Sequence, residues 1–195
     1  MTGNENPFEP PAGGLSLYIH VPFCERKCSY CAFESCVPSP GEKDLWLDML
    51  AKELEWWQKR TRKLPISLKT VYIGGGTPTV LDGQQWLRLT GIIDTFFTFE
   101  EDAEVTVEAN PNSLRTEHLL SWRDWKISRV SIGVQSFDDA ELEQLGRLHS
   151  SAQAYEAISA SLASGFSVSA DLMFGLPGQT FANWARTLRQ AAHSG

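Results

Sequence analysis

A chain of 195 residues has room for one sizeable hydrophobic core. Its 42% hydrophobic and 21% charged content is that of an ordinary globular protein, and a net charge of -7 argues against a broadly basic nucleic-acid surface. No apolar run approaches the roughly 20 residues of a membrane-spanning helix, so neither nucleic acid nor a bilayer interior is an expected partner.

In chain order, Met1–Gly14 is polar and rich in Pro and Gly. It reads as a flexible leader, without the apolar stretch of a signal peptide or the basic character of an organelle transit peptide. The alternating run Leu15–Val21 reads as a first strand. It leads into three thiols within eight residues, Cys24, Cys28 and Cys31, and an irregular segment through Gly41. A helix from Glu42 to about Arg60 sets Leu45, Met49, Leu50, Leu54 and Trp57 at three- and four-residue steps. Lys63–Ser67 reads as a turn, with Pro65 blocking continuation.

The second strand, Lys69–Ile73, ends in Gly74-Gly75-Gly76-Thr77-Pro78. A helix over about Gln84–Phe97 presents Trp86, Leu89, Ile93 and Phe96 on one face. The third strand, Glu104–Asn110, stops at Pro111, and Leu114–Trp125 reads as helical. Arg129–Gln135 is the fourth strand. Two helices follow: Asp138 caps the first, with Glu141 three residues on. Ser150 caps the second, with Gln153 in the reciprocal position and Gly165 as terminator. The fifth strand runs from about Ser167 to Phe174, ahead of Gly175–Thr180 and a last helix.

Five strand–helix alternations mean an α/β fold with parallel strands and crossover helices. Side-chain parity then distinguishes the faces. Leu15, Leu17 and Ile19 oppose Ser16, Tyr18 and His20. Val105, Val107 and Ala109 oppose Thr106, Glu108 and Asn110. Val130, Ile132 and Val134 oppose Arg129, Ser131, Gly133 and Gln135, while Val168, Ala170 and Leu172 oppose Ser169 and Asp171. One apolar face under helices and one polar face suit a curved sheet around a lumen, a partial β/α barrel. A doubly wound sheet is the alternative, in which Glu108, Gln135 and Asp171 would need partners beneath a helix layer.

The dense cysteine spacing favours reduced thiols in the cytoplasm over disulfides. Three thiolates do not close a four-ligand site, so one iron of a four-iron cluster would stay free to bind something else. The alternative is a structural zinc site completed by His20 or Cys36. Cys36 also reads as a fourth ligand of an inactive state, a small buried residue or a spare exposed thiol. Arg26 and Lys27 would favour thiolate and offset cluster charge. Gly74–Pro78 lacks the Lys of a phosphate loop, and its glycines permit close backbone approach by a ligand. Glu108 is placed to hold a cationic amine or to sit in a lumen salt bridge. Gln135 and Asp171 suit hydroxyl or amide groups, with Asp171 as a two-acceptor ribose clamp. Arg147 suits a ligand carboxylate or the surface near a helix end, and His149 reads as capping or solvating the turn before Ser150.

The pattern Cys24-x-x-x-Cys28-x-x-Cys31 followed by Phe33 resembles the cluster loop of radical S-adenosylmethionine (SAM) enzymes. Tyr18-Ile19-His20-Val21-Pro22-Phe23 resembles the branch containing oxygen-independent coproporphyrinogen III oxidase and heme chaperones. The likeness continues through Gly74–Pro78, Val107–Pro111, Arg129–Phe137, Gly146–His149 and Asp171–Thr180. It implies a radical-SAM-type barrel with a 4Fe–4S cluster on Cys24, Cys28 and Cys31, and S-adenosylmethionine on the remaining iron. Tyr18, Tyr30, Gly75, Gly76, Thr77, Glu108, Gln135, Arg147 and Asp171 match positions lining the cofactor pocket. No catalytic residue is assigned.

One electron from the reduced cluster would cleave the sulfonium to methionine and a 5′-deoxyadenosyl radical. Where the oxidase has Cys-Gly-Cys at its third ligand, this chain has Cys31-Ala32-Phe33. That departure resembles the heme chaperones and counts against oxidase activity. Heme is then a candidate ligand, and the implied partners are a reductant and a heme acceptor linked to the membrane. The family barrel has six strands and a C-terminal domain. Residues 15–195 are therefore expected to form a core domain that stops before the last strand, with an unpaired strand edge.

Overall fold

The computed structural model describes residues 14–60 and 66–195. The expected leader, apart from Gly14, and residues 63–65 of the expected turn lie outside them. Five parallel strands pair in sequence order: β1 (Leu15–Val21), β2 (Ile66–Gly75), β3 (Phe97–Ala109), β4 (Arg129–Gln135) and β5 (Ser167–Leu172). Between them run α1 (Glu42–Gln58), α2 (Gly83–Phe96), α3 (Thr116–Asp124), α4 (Asp139–Gln144) and α5 (Ser151–Ala163), with α6 (Phe181–His193) last. A strand order that never reverses has no switch point, so the doubly wound alternative falls and the sheet curves as part of a barrel. β1 and β5 are its edges.

Local chemistry sets the element ends. Asp82 opens α2 with a capping box: its carboxylate accepts from Gln85 N (2.9 Å), and Gln85 Oε1 accepts from Asp82 N (3.1 Å). Ser150 and Gln153 repeat the device on α5, and Gly165 ends that helix at φ +90°. Asp138 caps α4 by accepting from the amides of Ala140 and Glu141.

The outward sheet face, including Ile19, Val71, Ile73, Val105, Val107, Val130 and Ile132, is buried with Leu47, Leu89, Ile93, Trp122 and Ile158 from the helices. The inward face satisfies its own polar groups. Thr70 Oγ1 donates to Ser16 Oγ (2.8 Å), Arg129 to Ser169 (2.8 Å) and Thr106 (3.4 Å), and Ser169 to Ser131 (3.1 Å). The polar lumen expected from parity is therefore a hydrogen-bonded layer rather than a set of stranded groups.

Three expectations need correction. On α1, Leu47 and Leu54 are buried with Leu50 against them, whereas Leu45, Met49 and Trp57 face solvent. Two apolar stripes share this helix, and spacing says which residues share a face, not which face meets the sheet. Ile66 and Ser67 belong to β2 rather than a turn. β3 begins at Phe97, directly after α2; Phe97 and Phe99 pair with Ile66 and Leu68, and a register shift before Thr70 and Glu104 absorbs the acidic run between.

Candidate cofactor site

The loop after β1 is fastened along its length. Cys24 N donates to Cys36 O and Cys36 N to Pro22 O, both at 2.9 Å. Lys27 Nζ reaches Phe33 O (3.3 Å) and Ser35 O (3.4 Å). From the adjoining strand end, Gly76 N donates to Val21 O (2.8 Å) and Thr77 N to Phe23 O (2.7 Å). Phe23 is buried edge-on against Trp46. The backbone approach is so close that a Cβ on Gly76 would lie 2.6 Å from Phe23 O and 3.0 Å from Cys24 Sγ. At Gly75, φ is +115° and a Cβ would meet His20 Nδ1 at 2.7 Å. The glycine run thus serves to let the cysteine loop lie on the strand end.

Cys24, Cys28 and Cys31 are half-buried free thiols, and Cys36 is exposed. The three thiols line one cavity of about 320 Å³ at the C-terminal end of the sheet. Tyr30, Gly75, Gly76, Thr77, Glu108, Gln135, Arg147 and Asp171 line it too. Tyr18 does not: it lies on the inward face of β1, its hydroxyl 3.0 Å from His20 Nδ1 and its ring stacked on Tyr72. His20 also engages Glu34 O through Nε2 (2.8 Å), so both ring nitrogens are committed.

The cavity's polar groups are held from below. Glu108 accepts from Tyr72 Oη (2.7 Å) and from Gly75 N (3.0 Å), one donor on each oxygen. Both donors are neutral, so the salt bridge weighed for this carboxylate is not its partner. Burial and the Glu108 carboxylate push the Tyr72 hydroxyl up, which keeps it a donor. Arg147 follows Gly146, whose φ of +71° ends α4 in a Schellman turn: Gly146 N bonds Glu143 O and Arg147 N bonds Leu142 O. That turn throws the arginine inward rather than onto the surface. Its Nη2 donates to Asn110 Oδ1 (2.8 Å) and Gly133 O (2.6 Å), and its Nη1 lies 3.7 Å from Cys28 Sγ. Thr77 Oγ1 donates to Cys24 Sγ (3.4 Å). Burial pushes the Tyr30 hydroxyl up against the opposing pull of Arg147. Burial likewise raises the Asp171 carboxyl, with Ser131 and Arg129 opposing.

Gln135 is the one non-glycine residue with positive φ, +68°, among the described residues. A left-handed residue costs roughly 1–2 kcal/mol, and here that strain aims an amide into the cavity. Gln135→Gly is therefore expected to keep or slightly raise the urea midpoint, despite glycine's more flexible unfolded chain. A fall of more than about 1 kcal/mol would show that side-chain contacts dominate. His149 does not solvate its turn. It is buried, with Nε2 bonded to Val134 O (3.1 Å).

Sequence reasoning missed Tyr72, although parity with Thr70 on the second strand places it inward. It also missed Asn110 and Gly133 as the seat of Arg147, a pairing made across three elements with no local signal. Among the described residues no three His, Cys, Asp or Glu side chains sit close enough to hold a single metal ion. A cubane cluster takes each thiolate on a different iron. The three thiols line one cavity, and Thr77 Oγ1 on Cys24 and Arg147 Nη1 beside Cys28 set donors at two of the sulfurs, surroundings that suit the thiolate ligands of a cluster.

This fold and site define a radical SAM protein: the sequence model of the Radical SAM superfamily matches residues 18–191, and the chain belongs to that superfamily. The family works with a 4Fe–4S cluster and S-adenosylmethionine. Within it, the chain is homologous to the heme chaperone and coproporphyrinogen oxidase branch. It is 37% identical to heme chaperone HemW of Haemophilus influenzae, over 93% of this chain and 49% of the relative. With heme chaperone HemW of Escherichia coli it shares 38% identity, over 91% and 47% respectively. The solved structure of coproporphyrinogen III oxidase (HemN) from Escherichia coli superposes with a TM-score of 0.87 at 30% identity. That match covers 93% of this chain and 42% of that one. The chain spans about half the length of the curated relatives it matches. Among the described residues no helix is long and apolar enough to cross a membrane.

Proposed function

We propose that Cys24, Cys28 and Cys31 hold a 4Fe–4S cluster, that S-adenosylmethionine binds beside it, and that the protein serves as a heme chaperone, binding heme and passing it to an acceptor. The observation that carries the first part is the shared cavity of three thiols and Glu108, a carboxylate engaged only by neutral donors. Its charge is free to meet the amine of the cofactor's methionine moiety, while Gly75, Gly76 and Thr77 offer backbone and hydroxyl groups at close range. Gln135 and Asp171 suit the amide and hydroxyl contacts of a nucleoside, and Tyr30 and Arg147 complete the wall. Tyr18 would reach the cofactor only from the lower lumen. When bound, the reduced cluster supplies the electron that splits the sulfonium.

The heme part is supported by the relatives that carry the name heme chaperone. Phe33, where the oxidase pattern has a further cysteine, weighs in the same direction. Porphyrinogen oxidation is the second reading, favoured by the likeness to the oxidase structure. Either reading calls for a reductant as partner and takes residues 15–195 as a radical SAM core.

Anaerobic reconstitution tests both, with iron content, 5′-deoxyadenosine formation and heme absorbance read on one sample. Decarboxylation of coproporphyrinogen would move the assignment to the oxidase, and tight zinc with no iron would sink the radical reading. Glu108→Gln sharpens the test. Tyr72 can reverse its hydroxyl to accept from the new amide, so the fold should survive. The lost charge removes a hydrogen bond worth roughly 1.5–3 kcal/mol. S-adenosylmethionine affinity is expected to fall about tenfold or more with iron content unchanged. Equal affinity in the variant would remove Glu108 from the site.

A further inference from the structure

Behind the cysteine loop lies a second, much smaller cavity of about 10 Å³, bounded in part by Glu25, Cys28, Asn112, Ser113 and Arg147. Two atoms of these walls are buried without a protein partner, Asn112 Oδ1 and Arg147 Nε. The polarity of each is settled by its neighbours. Asn112 Nδ2 donates to Glu25 Oε2, and a carboxylate only accepts, so the amide oxygen is the end left over. Arg147 engages Asn110, Gly133 and Cys28 through its two terminal nitrogens, which leaves Nε–H as a donor. Two residues that line one polar space the size of a water molecule thus each keep one buried group over, an acceptor on Asn112 and a donor on Arg147. Arg147 and Arg26 on the walls argue against a cation there, and the space is too small for an anion larger than a water molecule.

We infer that one buried water fills this cavity, accepting from Arg147 Nε and donating to Asn112 Oδ1. Through it, Asn112 is a positioning residue that steadies the Arg147 guanidinium against the Cys28 sulfur. A donor held on a cluster-ligating sulfur stabilises the extra electron of the reduced cluster and raises its potential. That redox consequence rests on the cluster reading above; the water does not.

Asn112→Leu is close in volume and removes the acceptor. A high-resolution crystal structure of the cluster-free wild type should show one water within hydrogen-bond distance of both atoms. The variant should lack it, with Arg147 displaced from Cys28. After reconstitution, an EPR-monitored redox titration of the variant should give a midpoint more negative than wild type, at equal iron content. If the variant does not fold, the wild-type water alone decides, in the crystal or as a slowly exchanging water in NMR. A dry cavity in the wild type, or an unchanged midpoint in a variant that has lost the water, would overturn the inference. A wild type that takes up no cluster would instead sink the proposed function, and the water would still be judged on the crystal structure.

Discussion

Gly76→Ala is expected to lose iron uptake and to melt well below wild type. The new Cβ would sit 2.6 Å from Phe23 O, a carbonyl already accepting from Thr77 N at 2.7 Å. Neither side can give way cheaply, because Gly76 N is tied to Val21 O and Phe23 is packed in the core. The loop must therefore rise off the strand end, losing two backbone hydrogen bonds and the Thr77 contact to Cys24. Overpacking of about 1–3 kcal/mol and two lost backbone hydrogen bonds near 1 kcal/mol each give a total of roughly 3–5 kcal/mol. In a chain of this size that is on the order of 10 °C in melting temperature. Gly91→Ala is the control, since nothing lies near its Cβ on α2 and alanine favours a helix. Iron bound normally by Gly76→Ala, with wild-type melting, would show the cysteine loop to be independent of the glycine strand end.

The same contact marks what could be read from the chain and what could not. Arg129–Gln135 was legible to the residue because a strand buried on one face alternates strictly, and its parity forecast an inward row ending at Gln135. Trp86, Leu89, Ile93 and Phe96 were legible for the matching helical reason. Cap residues at Asp138 and Ser150 act within three residues of themselves, so the helix starts they set need no knowledge of the fold. α1 was not legible in the same way, because two apolar stripes satisfied one period and only the sheet chose between them. The cysteine trio and the glycine run could each be identified alone, but not that Gly76 is small because Cys24 lies on it. Arg147 shows the limit most clearly. Its sequence neighbours suggest a surface helix end, and its partners Asn110, Gly133 and Cys28 come from other segments of the chain.

Stability is expected to fall by about 2 kcal/mol between pH 7.5 and 5 through His149. Its ring is buried, Nε2 bonds to Val134 O, and Nδ1 has no partner. A proton on Nδ1 would place a charge with no acceptor beside Arg147. Burial first and the arginine second lower the imidazole to about 4, with the Val134 carbonyl and Asp139 opposing. The sign follows from the unfolded chain, whose histidine titrates near 6.5. Between the two values only the unfolded state takes up the proton. Stability is thus full above the unfolded value, drains as pH falls through it, and levels below the folded one. His118, also lowered by burial, adds in the same direction. Urea midpoints at pH 7.5, 6.5 and 5, all above the range where most carboxylates titrate, isolate the effect. His149→Gln can still donate to Val134 O but cannot titrate, so its slope should flatten to the share left by His118. A wild-type slope surviving intact in that variant would mean that His149 reaches water in the native state and that the Val134 contact does not hold it in.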